Sequence, residues 1–262
     1  MLQIINSIIW AIVTSLIILS GVYFSKKLSY PQFNLQKIFK SLKNDNNKGI
    51  SPIKTLFLTL AGRIGVGSIA GVALAIYIGG PGTIFWIWIT SIITSVNAFC
   101  ESYMGAKYQE KDGLAYKGGP AFYIDKGLKN RKLAKTYALL IIIAYAVGFM
   151  TIQSNTITKS IQEYISVSPV LIGIVLAIIS GIIIFKGLDS IVSTTSKMVP
   201  VMGGGYLITS LVILVLNLDL LPEIFKIILE SAFNLKSATT GILSTFIIGI
   251  QRGIFSTEAG LG

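Results

Sequence analysis

The feature that most constrains this chain is an apolar run over residues 55–78 with three glycines at its centre. Twenty or so apolar residues, at about 1.5 Å per residue, cross a hydrocarbon core of roughly 30 Å, so the run predicts a transmembrane helix. Gly62, Gly65 and Gly67 each weaken a helix by about 1 kcal/mol relative to alanine. Because lipid cannot satisfy freed backbone groups, a break at this depth indicates a site. Close helix packing through Gly67 and Gly71 is the alternative interpretation.

The composition is that of a polytopic membrane protein. Hydrophobic residues make up 53% of the 262 residues and charged residues 13%, against roughly 25% charged residues in a soluble domain. The net charge of +11 comes from basic residues that lie between apolar runs, which indicates topology rather than nucleic-acid binding. The chain has no histidine, its only cysteine is Cys100, and no convincing nucleophile–base pair is present. We therefore expect no enzyme, no catalytic residue and no cofactor.

Seven apolar segments divide the chain. They cover residues 4–24, 55–78, 83–103, 136–158, 170–185 and 198–216, and a last segment that begins near residue 241. The first has its lysines after it and lacks a small-residue cleavage site, which predicts a retained helix rather than a cleaved signal. The other six are numbered here as core helices one to six.

The charges of the loops predict the orientation of these segments. The loop 25–54 has seven lysines and one acid, and the loop 107–135 has eight basic residues and three acids. Both are predicted to be cytoplasmic. The segments 159–169 and 217–237 together have three lysines and four acids and fit the opposite side. The sequence thus predicts a multi-pass protein of the plasma membrane with its N-terminus outside.

Two loop segments are predicted to carry structure of their own. Apolar residues recur at helical spacing over residues 221–233, which predicts a short interfacial helix. The segment 117–124 is compatible with an amphipathic piece or with a plain turn.

Polar side chains inside the apolar segments are the candidates for function, since a central arginine costs about 2.5–3.5 kcal/mol on insertion scales. They are Arg63 in core helix one, Gln153 and Asn155 in core helix three, and Arg252, Ser256, Thr257 and Glu258 in core helix six. Glu101, toward the inner end of core helix two, is interpreted as a solvated or snorkelling end residue. Arg252 and Glu258 are six residues apart, so either each has another partner or the helix unwinds between them.

Core helices one and six have the pattern of two broken helices in an inverted repeat. Gly249, Gly253, Gly260 and Gly262 surround the polar stretch of core helix six, much as glycines surround Arg63. The two helices are predicted to enter from opposite sides, five helices apart, as an odd-numbered inverted repeat requires. In such folds half-helix N-termini bind an anionic group and freed carbonyls bind a cation. The pattern therefore predicts an amphoteric solute.

Five motifs resemble the alanine/glycine:cation symporter family of bacteria and archaea. They are GSIAGVA at 67–73, GGPGTIFW at 79–86, GGPAFYI at 118–124, QSN at 153–155 and RGIFSTEAGLG at 252–262. The resemblance runs from about residue 50 to the end. It implies the all-α, five-plus-five inverted-repeat fold of leucine-transporter relatives, preceded by one extra helix at 4–24. It also implies symport of alanine or glycine with sodium as the coupling ion.

The resemblance further implies a site. The substrate is expected to contact the unwound backbone and polar side chains of Gly65, Gly67, Ser68, Ile69, Gln153, Asn155, Ser256, Thr257 and Glu258. The cation-site region is expected at Gly62, Arg63, Gly65 and Val66. A purely structural hydrogen-bonding role is the alternative for Gln153, Asn155 and Glu258. The chain departs from the family pattern at three positions, where the family has threonine for Arg63 and asparagine for Ser68 and Thr257.

The expected domain is a single transmembrane domain over 1–262. It comprises the extra helix and basic loop (1–54), the first inverted repeat (55–216), and an amphipathic segment with the start of core helix six (217–262). The family fold continues past Gly262 with four further helices, so we expect an N-terminal part that does not transport alone. A second polypeptide or a second copy would supply the missing helices. The alternative is a non-transporting remnant or accessory membrane protein.

Overall fold

The computed structural model describes residues 2–43, 51–112, 115–233 and 241–260. Of these described residues, 84% are helical, which confirms an all-α membrane protein. The helices are α1 (Leu2–Lys27), α2 (Leu35–Lys43), α3 (Pro52–Arg63), α4 (Ala70–Gly79), α5 (Thr83–Lys107), α6 (Pro120–Gly127), α7 (Arg131–Ile143), α8 (Met150–Gln162), α9 (Pro169–Phe185), α10 (Leu188–Leu216), α11 (Leu221–Phe233) and α12 (Gly241–Thr257). Short 3₁₀ turns cover Pro31–Phe33 and Leu218–Leu220, and a π-helical segment covers Ala144–Phe149. Strands β1 (Glu110–Asp112) and β2 (Ala115–Lys117) pair antiparallel, with Lys111 opposite Tyr116.

Four helical stretches are long and apolar enough to cross a membrane. They are Ile4–Lys27, Thr83–Lys107, Arg131–Gln162 and Leu188–Leu216. Ala70–Gly79 and Pro169–Phe185 are shorter apolar helices. This pattern agrees with the predicted segments, although α7 and α10 begin several residues earlier than hydropathy suggests. α10 starts at Leu188 rather than near residue 198, because its polar first turns are helical too and hydropathy detects only the apolar part.

The predicted interruption of core helix one is present. α3 ends at Arg63 and α4 begins at Ala70, so residues 64–69 connect two short helices. At the end of α4, Gly80 has a φ of 78°, a left-handed conformation that glycine adopts without a steric penalty. Pro81 follows it, and α5 begins at Thr83.

The chain divides into two compact units. The first contains Met1–Leu35, Ala70–Ile143 and Pro222–Gly262, and the second contains Gln36–Ile69 and Ala144–Leu221. α5 is the centre of the first unit and is packed against α1 and α12. Asn97 on α5 donates a hydrogen bond to the Ile17 carbonyl of α1 at 2.8 Å. On its other side the Thr94 and Thr257 hydroxyls hydrogen-bond at 2.9 Å.

Glycines set the close approach of α12 to α5. An ideal Cβ on Gly249 would lie 2.9 Å from the Thr83 carbonyl oxygen, and one on Gly253 would lie 2.6 Å from Thr90 Cβ. These glycines were expected to help unwind core helix six, but α12 is helical through both. Their role is packing, since small residues let two helix backbones approach in a membrane protein.

α11 also belongs to this unit from Pro222 onward. It buries Ile228 and Ala232, and its Ser231 hydroxyl accepts a hydrogen bond from the Gly82 N–H at 3.0 Å. The predicted helix at 221–233 is therefore confirmed.

In the second unit, α3 is packed on α10. An ideal Cβ on Gly203 would lie 3.4 Å from the Ile64 side chain. Pro200 lies within α10, which remains one helix on both sides of it.

The loops contain elements that the sequence did not predict. α2 lies in the basic loop 25–54, and the β1–β2 hairpin precedes α6. Lys126 of α6 pairs with Glu110 at 3.0 Å and donates to the Tyr108 carbonyl at 3.2 Å. Of the two interpretations of 117–124, the structure thus shows a helix from Pro120.

Candidate functional site

The interruption at residues 64–69 is held together by the hydroxyl of Ser68. It donates to the Arg63 carbonyl at 2.8 Å and accepts a hydrogen bond from the Gly65 N–H at 3.1 Å. It also lies 3.1 Å from the Gly65 carbonyl oxygen. The Ile69 N–H returns to that same carbonyl at 3.0 Å. One serine side chain therefore satisfies backbone groups that the broken helix leaves without helical partners.

Gln153 on α8 faces this interruption. Its side-chain oxygen accepts a long hydrogen bond from the Val66 N–H at 3.4 Å. An ideal Cβ on Gly65 would lie 3.0 Å from Gln153 Nε2. A larger residue at position 65 would therefore push the Gln153 amide away. The π-helical segment Ala144–Phe149 precedes α8, and such segments are frequent at functional sites.

Two backbone donors in the interruption are open. Within the residues that the structure describes, the N–H groups of Gly67 and Ser68 have no hydrogen-bond acceptor. They directly precede α4. Donors at the start of a helix, where the helix dipole is positive, form an anion-binding arrangement.

Arg63 and Gly62 lie at the end of α3. Arg63 is half-buried and Gly62 is exposed. The structure gives the Arg63 guanidinium no ion pair or hydrogen bond to any residue that it describes, whereas the Arg63 carbonyl is bonded to Ser68. Ile69, the last predicted residue of this stretch, is 39% exposed.

Asn155 does not join this cluster. It is exposed and lies two residues after Gln153 on the continuous helix α8, so the two side chains point to different faces. The structure therefore brings Gln153 to Gly65 and Val66 but leaves Asn155 apart from them.

The predicted residues of core helix six lie at the C-terminal end of α12. The Ser256 hydroxyl donates back to the Arg252 carbonyl at 2.8 Å. Thr257 is the last residue of α12, and Glu258 follows it with a φ of 52°. The helix is thus intact from Arg252 to Thr257 and ends at Glu258, so the predicted unwinding between Arg252 and Glu258 is wrong. The Arg252 guanidinium lies 5.9 Å from the centre of the Phe255 ring, a cation–π arrangement.

The predicted site residues belong to two different compact units. Residues 62–69, Gln153 and Asn155 lie in the second unit, whereas Ser256, Thr257 and Glu258 lie in the first.

Glu101 makes a contact that the sequence did not predict. Its carboxylate accepts a hydrogen bond from the Gly260 N–H at 2.7 Å, and the side chain remains partly exposed to solvent. Glu101 also lies near Tyr123 on α6. Burial, followed by the charge of Glu101 and the neighbouring Tyr137, raises the pKa of the Tyr123 phenol to about 12. An acid in an apolar segment was the available signal, but its partner is far away in sequence.

Comparison with known proteins places the chain in a family. The profile of the sodium:alanine symporter family matches residues 1–262. This chain belongs to the sodium:alanine symporter family. The predicted resemblance is thereby confirmed, and with it membrane transport as the activity of the family.

Individual relatives agree with this assignment. The amino-acid carrier protein AlsT of Bacillus subtilis is 35% identical over 98% of this chain and 56% of its own length. The probable sodium/glutamine symporter GlnT of the same organism is 33% identical over 98% of this chain and 55% of its own. The sodium/alanine symporter AgcS of Methanococcus maripaludis is 33% identical over 98% of this chain and 60% of its own. The chain thus spans little more than half the length of these relatives.

Proposed function

We propose that this chain takes part in sodium-coupled symport of a small neutral amino acid, alanine or glycine, across the plasma membrane. The observation that carries the proposal is the interrupted helix at 64–69, with the N–H groups of Gly67 and Ser68 open. The names of the relatives support an amino acid as substrate and sodium as coupling ion, but they differ in the amino acid.

The substrate carboxylate is proposed to bind at the open N–H groups. Backbone donors ahead of a helix carry a partial positive charge of roughly half an elementary charge, so they favour an anion over water. Gln153 is proposed to fix the backbone at Gly65 and Val66 that presents these donors. Ser256, Thr257 and Glu258 are also proposed as substrate-binding residues, as the family resemblance implies.

The coupling sodium ion is proposed to lie in the region of Gly62, Arg63, Gly65 and Val66. Carbonyl oxygens freed by a broken helix are the ligands that sodium uses in such folds. Arg63 is a permanent cation in this region, and we propose that its guanidinium competes with sodium. Arg63→Thr should therefore lower the sodium concentration that gives half-maximal uptake. An unchanged dependence would remove the competition from the proposal.

The proposed architecture is the five-plus-five inverted repeat, to which this chain contributes an extra helix, the first repeat and the start of the second. Transport then needs the remaining helices, because alternating access moves one repeat against the other. The N-terminus is proposed to lie outside.

The experiment compares uptake of labelled alanine, glycine and glutamine into proteoliposomes under an inward sodium gradient. One preparation contains the chain alone, and another contains the chain joined to the part of the AlsT relative that lies beyond the matched region. We expect saturable sodium-driven alanine or glycine uptake only in the joined protein. Gln153→Ala should abolish most of it, whereas Gln162→Ala, the same change on the same helix, should not. Uptake without a sodium requirement would overturn the proposal, and sodium-driven uptake by the chain alone would overturn the proposed architecture.

A further inference from the structure

Helix α2 carries an apolar face that is largely exposed, with Leu42 half-buried. At about 100° per residue, Leu35, Ile38, Phe39 and Leu42 fall within an arc of about 100° on one side of the helix. No residue of α2 is buried, and Leu35, Ile38 and Phe39 are 60%, 42% and 62% exposed. These large apolar side chains form a contiguous exposed patch, and such patches indicate a protein or membrane contact.

The opposite face of α2 is basic. Lys37, Lys40 and Lys43 are exposed and fall within an arc of about 120° away from the apolar side. α2 contains no acidic residue. A helix with this division has the form of an interfacial helix that lies in the plane of a membrane surface.

A second amphipathic helix of the same chain behaves differently. α11 buries Ile228 and Ala232 to 4% and 1% exposure against its own unit. The chain therefore buries part of the apolar face of α11, of which Ile224, Phe225 and Leu229 stay 42%, 50% and 47% exposed, and buries no residue of α2. α11 also mixes acidic and basic residues, with Glu223, Lys226 and Glu230, whereas the polar face of α2 has one sign of charge.

The position of α2 along the chain keeps it near a bilayer. The membrane-spanning α1 ends at Lys26 and Lys27, and seven residues separate it from Leu35. At about 3.5 Å per residue this connection reaches less than about 30 Å, and its 3₁₀ turn at Pro31–Phe33 shortens it further. α2 thus starts close to the membrane surface at which α1 ends.

We propose that α2 is a binding surface for anionic phospholipid. Leu35, Ile38, Phe39 and Leu42 enter the boundary between headgroups and acyl chains. Lys37, Lys40 and Lys43 reach the lipid phosphates above it, as lysines at interfaces do with their apolar stems buried. The complementary charge selects this partner, since the polar face of α2 carries lysines and no acid. The proposal does not depend on the transported substrate.

The experiment uses the full chain in lipid nanodiscs, with Cys100→Ser to remove the native thiol. A fluorophore is attached at Phe39→Cys on the apolar face or, as a control, at Gln36→Cys, which lies between Lys43 and Lys40 on the basic face. Discs contain phosphatidylcholine alone or with about one-third phosphatidylglycerol, a typical anionic component. Brominated lipid reports contact with acyl chains, and iodide reports contact with water.

We expect brominated lipid to quench the label at 39 but not at 36, and iodide to do the reverse. Quenching at 39 by brominated lipid should be at least about threefold stronger in the anionic discs. Changing Lys37, Lys40 and Lys43 together to Gln should reduce it to the level of neutral discs, whereas changing the same three to Arg should preserve it. Because α2 buries no residue, these variants change no buried side chain. A label at Ile38→Cys provides a second reading of the apolar face.

Three results would overturn the proposal. Equal iodide quenching at 36 and 39 would mean that the apolar face lies in water. Protection of position 39 from both quenchers would mean that protein covers it. Lipid quenching at 39 that is the same with and without phosphatidylglycerol, and the same with and without the three lysines, would exclude anionic lipid as the partner.

Discussion

The carboxylate of Glu101, near the end of α5, accepts a hydrogen bond from the backbone N–H of Gly260 at 2.7 Å. Gly260 lies just beyond the end of α12, with a φ of 97° that glycine tolerates without a Cβ clash. A charged acceptor on an N–H forms a stronger hydrogen bond than a neutral one. Glu101 thus connects one membrane helix to the non-helical segment that follows another.

Loss of this carboxylate should destabilise the chain. Glu101→Ala removes the acceptor, and we expect the free energy of unfolding to fall by about 1–2 kcal/mol. Glu101→Gln keeps an acceptor oxygen without the charge and should cost about half as much. Denaturant unfolding in detergent, followed by tryptophan fluorescence, measures both. Equal losses for Ala and Gln would show that the charge rather than the hydrogen bond matters.

Tyr123 predicts a pH dependence at high pH. Burial and the nearby Glu101 charge raise the pKa of its phenol to about 12, above the ordinary value of about 10. The unfolded chain therefore loses this proton first, so the stabilising contribution is complete below about pH 10 and is lost as pH rises towards 12. Among eleven tyrosines, the difference in 295 nm absorbance between the parent and Tyr123→Phe isolates this group. A midpoint near pH 10 would contradict the prediction.

Gly65→Ala should weaken substrate binding through Gln153. The added Cβ would lie 3.0 Å from Gln153 Nε2, and this flexible side chain can move away and release the Val66 N–H. We expect about a tenfold higher half-saturating amino-acid concentration, equivalent to about 1.4 kcal/mol, in the joined protein. Gly204→Ala, with no atom within 4 Å of its Cβ, is the control. If Gly65→Ala acts through Gln153, the double variant with Gln153→Ala should match Gln153→Ala alone, and additive losses would argue against this route.

Gly253→Ala should separate α12 from α5. Its Cβ would lie 2.6 Å from Thr90 Cβ and 3.1 Å from the Ile87 carbonyl oxygen, so one helix must shift. Overpacking of this kind costs about 1–3 kcal/mol. Gly205→Ala adds the same methyl group to a helix at a position with no atom within 4 Å. Thermal unfolding in detergent should show a lower midpoint for Gly253→Ala only, and equal midpoints would show that the two helices adjust freely.

The location of the helix break could be read from residues close together in the chain. Gly62, Gly65 and Gly67 lower local helix stability within an otherwise apolar run, and the structure interrupts the helix at 64–69. Similar local reasoning failed for α12, where Gly249 and Gly253 also surround polar residues. There the packing against Thr83 and Thr90 keeps the helix intact, and this packing depends on residues more than 150 positions away.

The sequence by itself determined the all-α membrane class, the positions of the apolar helices, the broken core helix one and the family, because hydropathy, glycine clusters and motifs are properties of neighbouring residues. Only the tertiary structure decided that Ser68 satisfies the broken backbone, that Gln153 rather than Asn155 faces Gly65, and that Glu101 binds Gly260. It also decided that α11 buries two residues of its apolar face, Ile228 and Ala232, while α2 buries none. The physical reason is that a helical pattern specifies which residues share a face, whereas the partner of that face depends on distant segments.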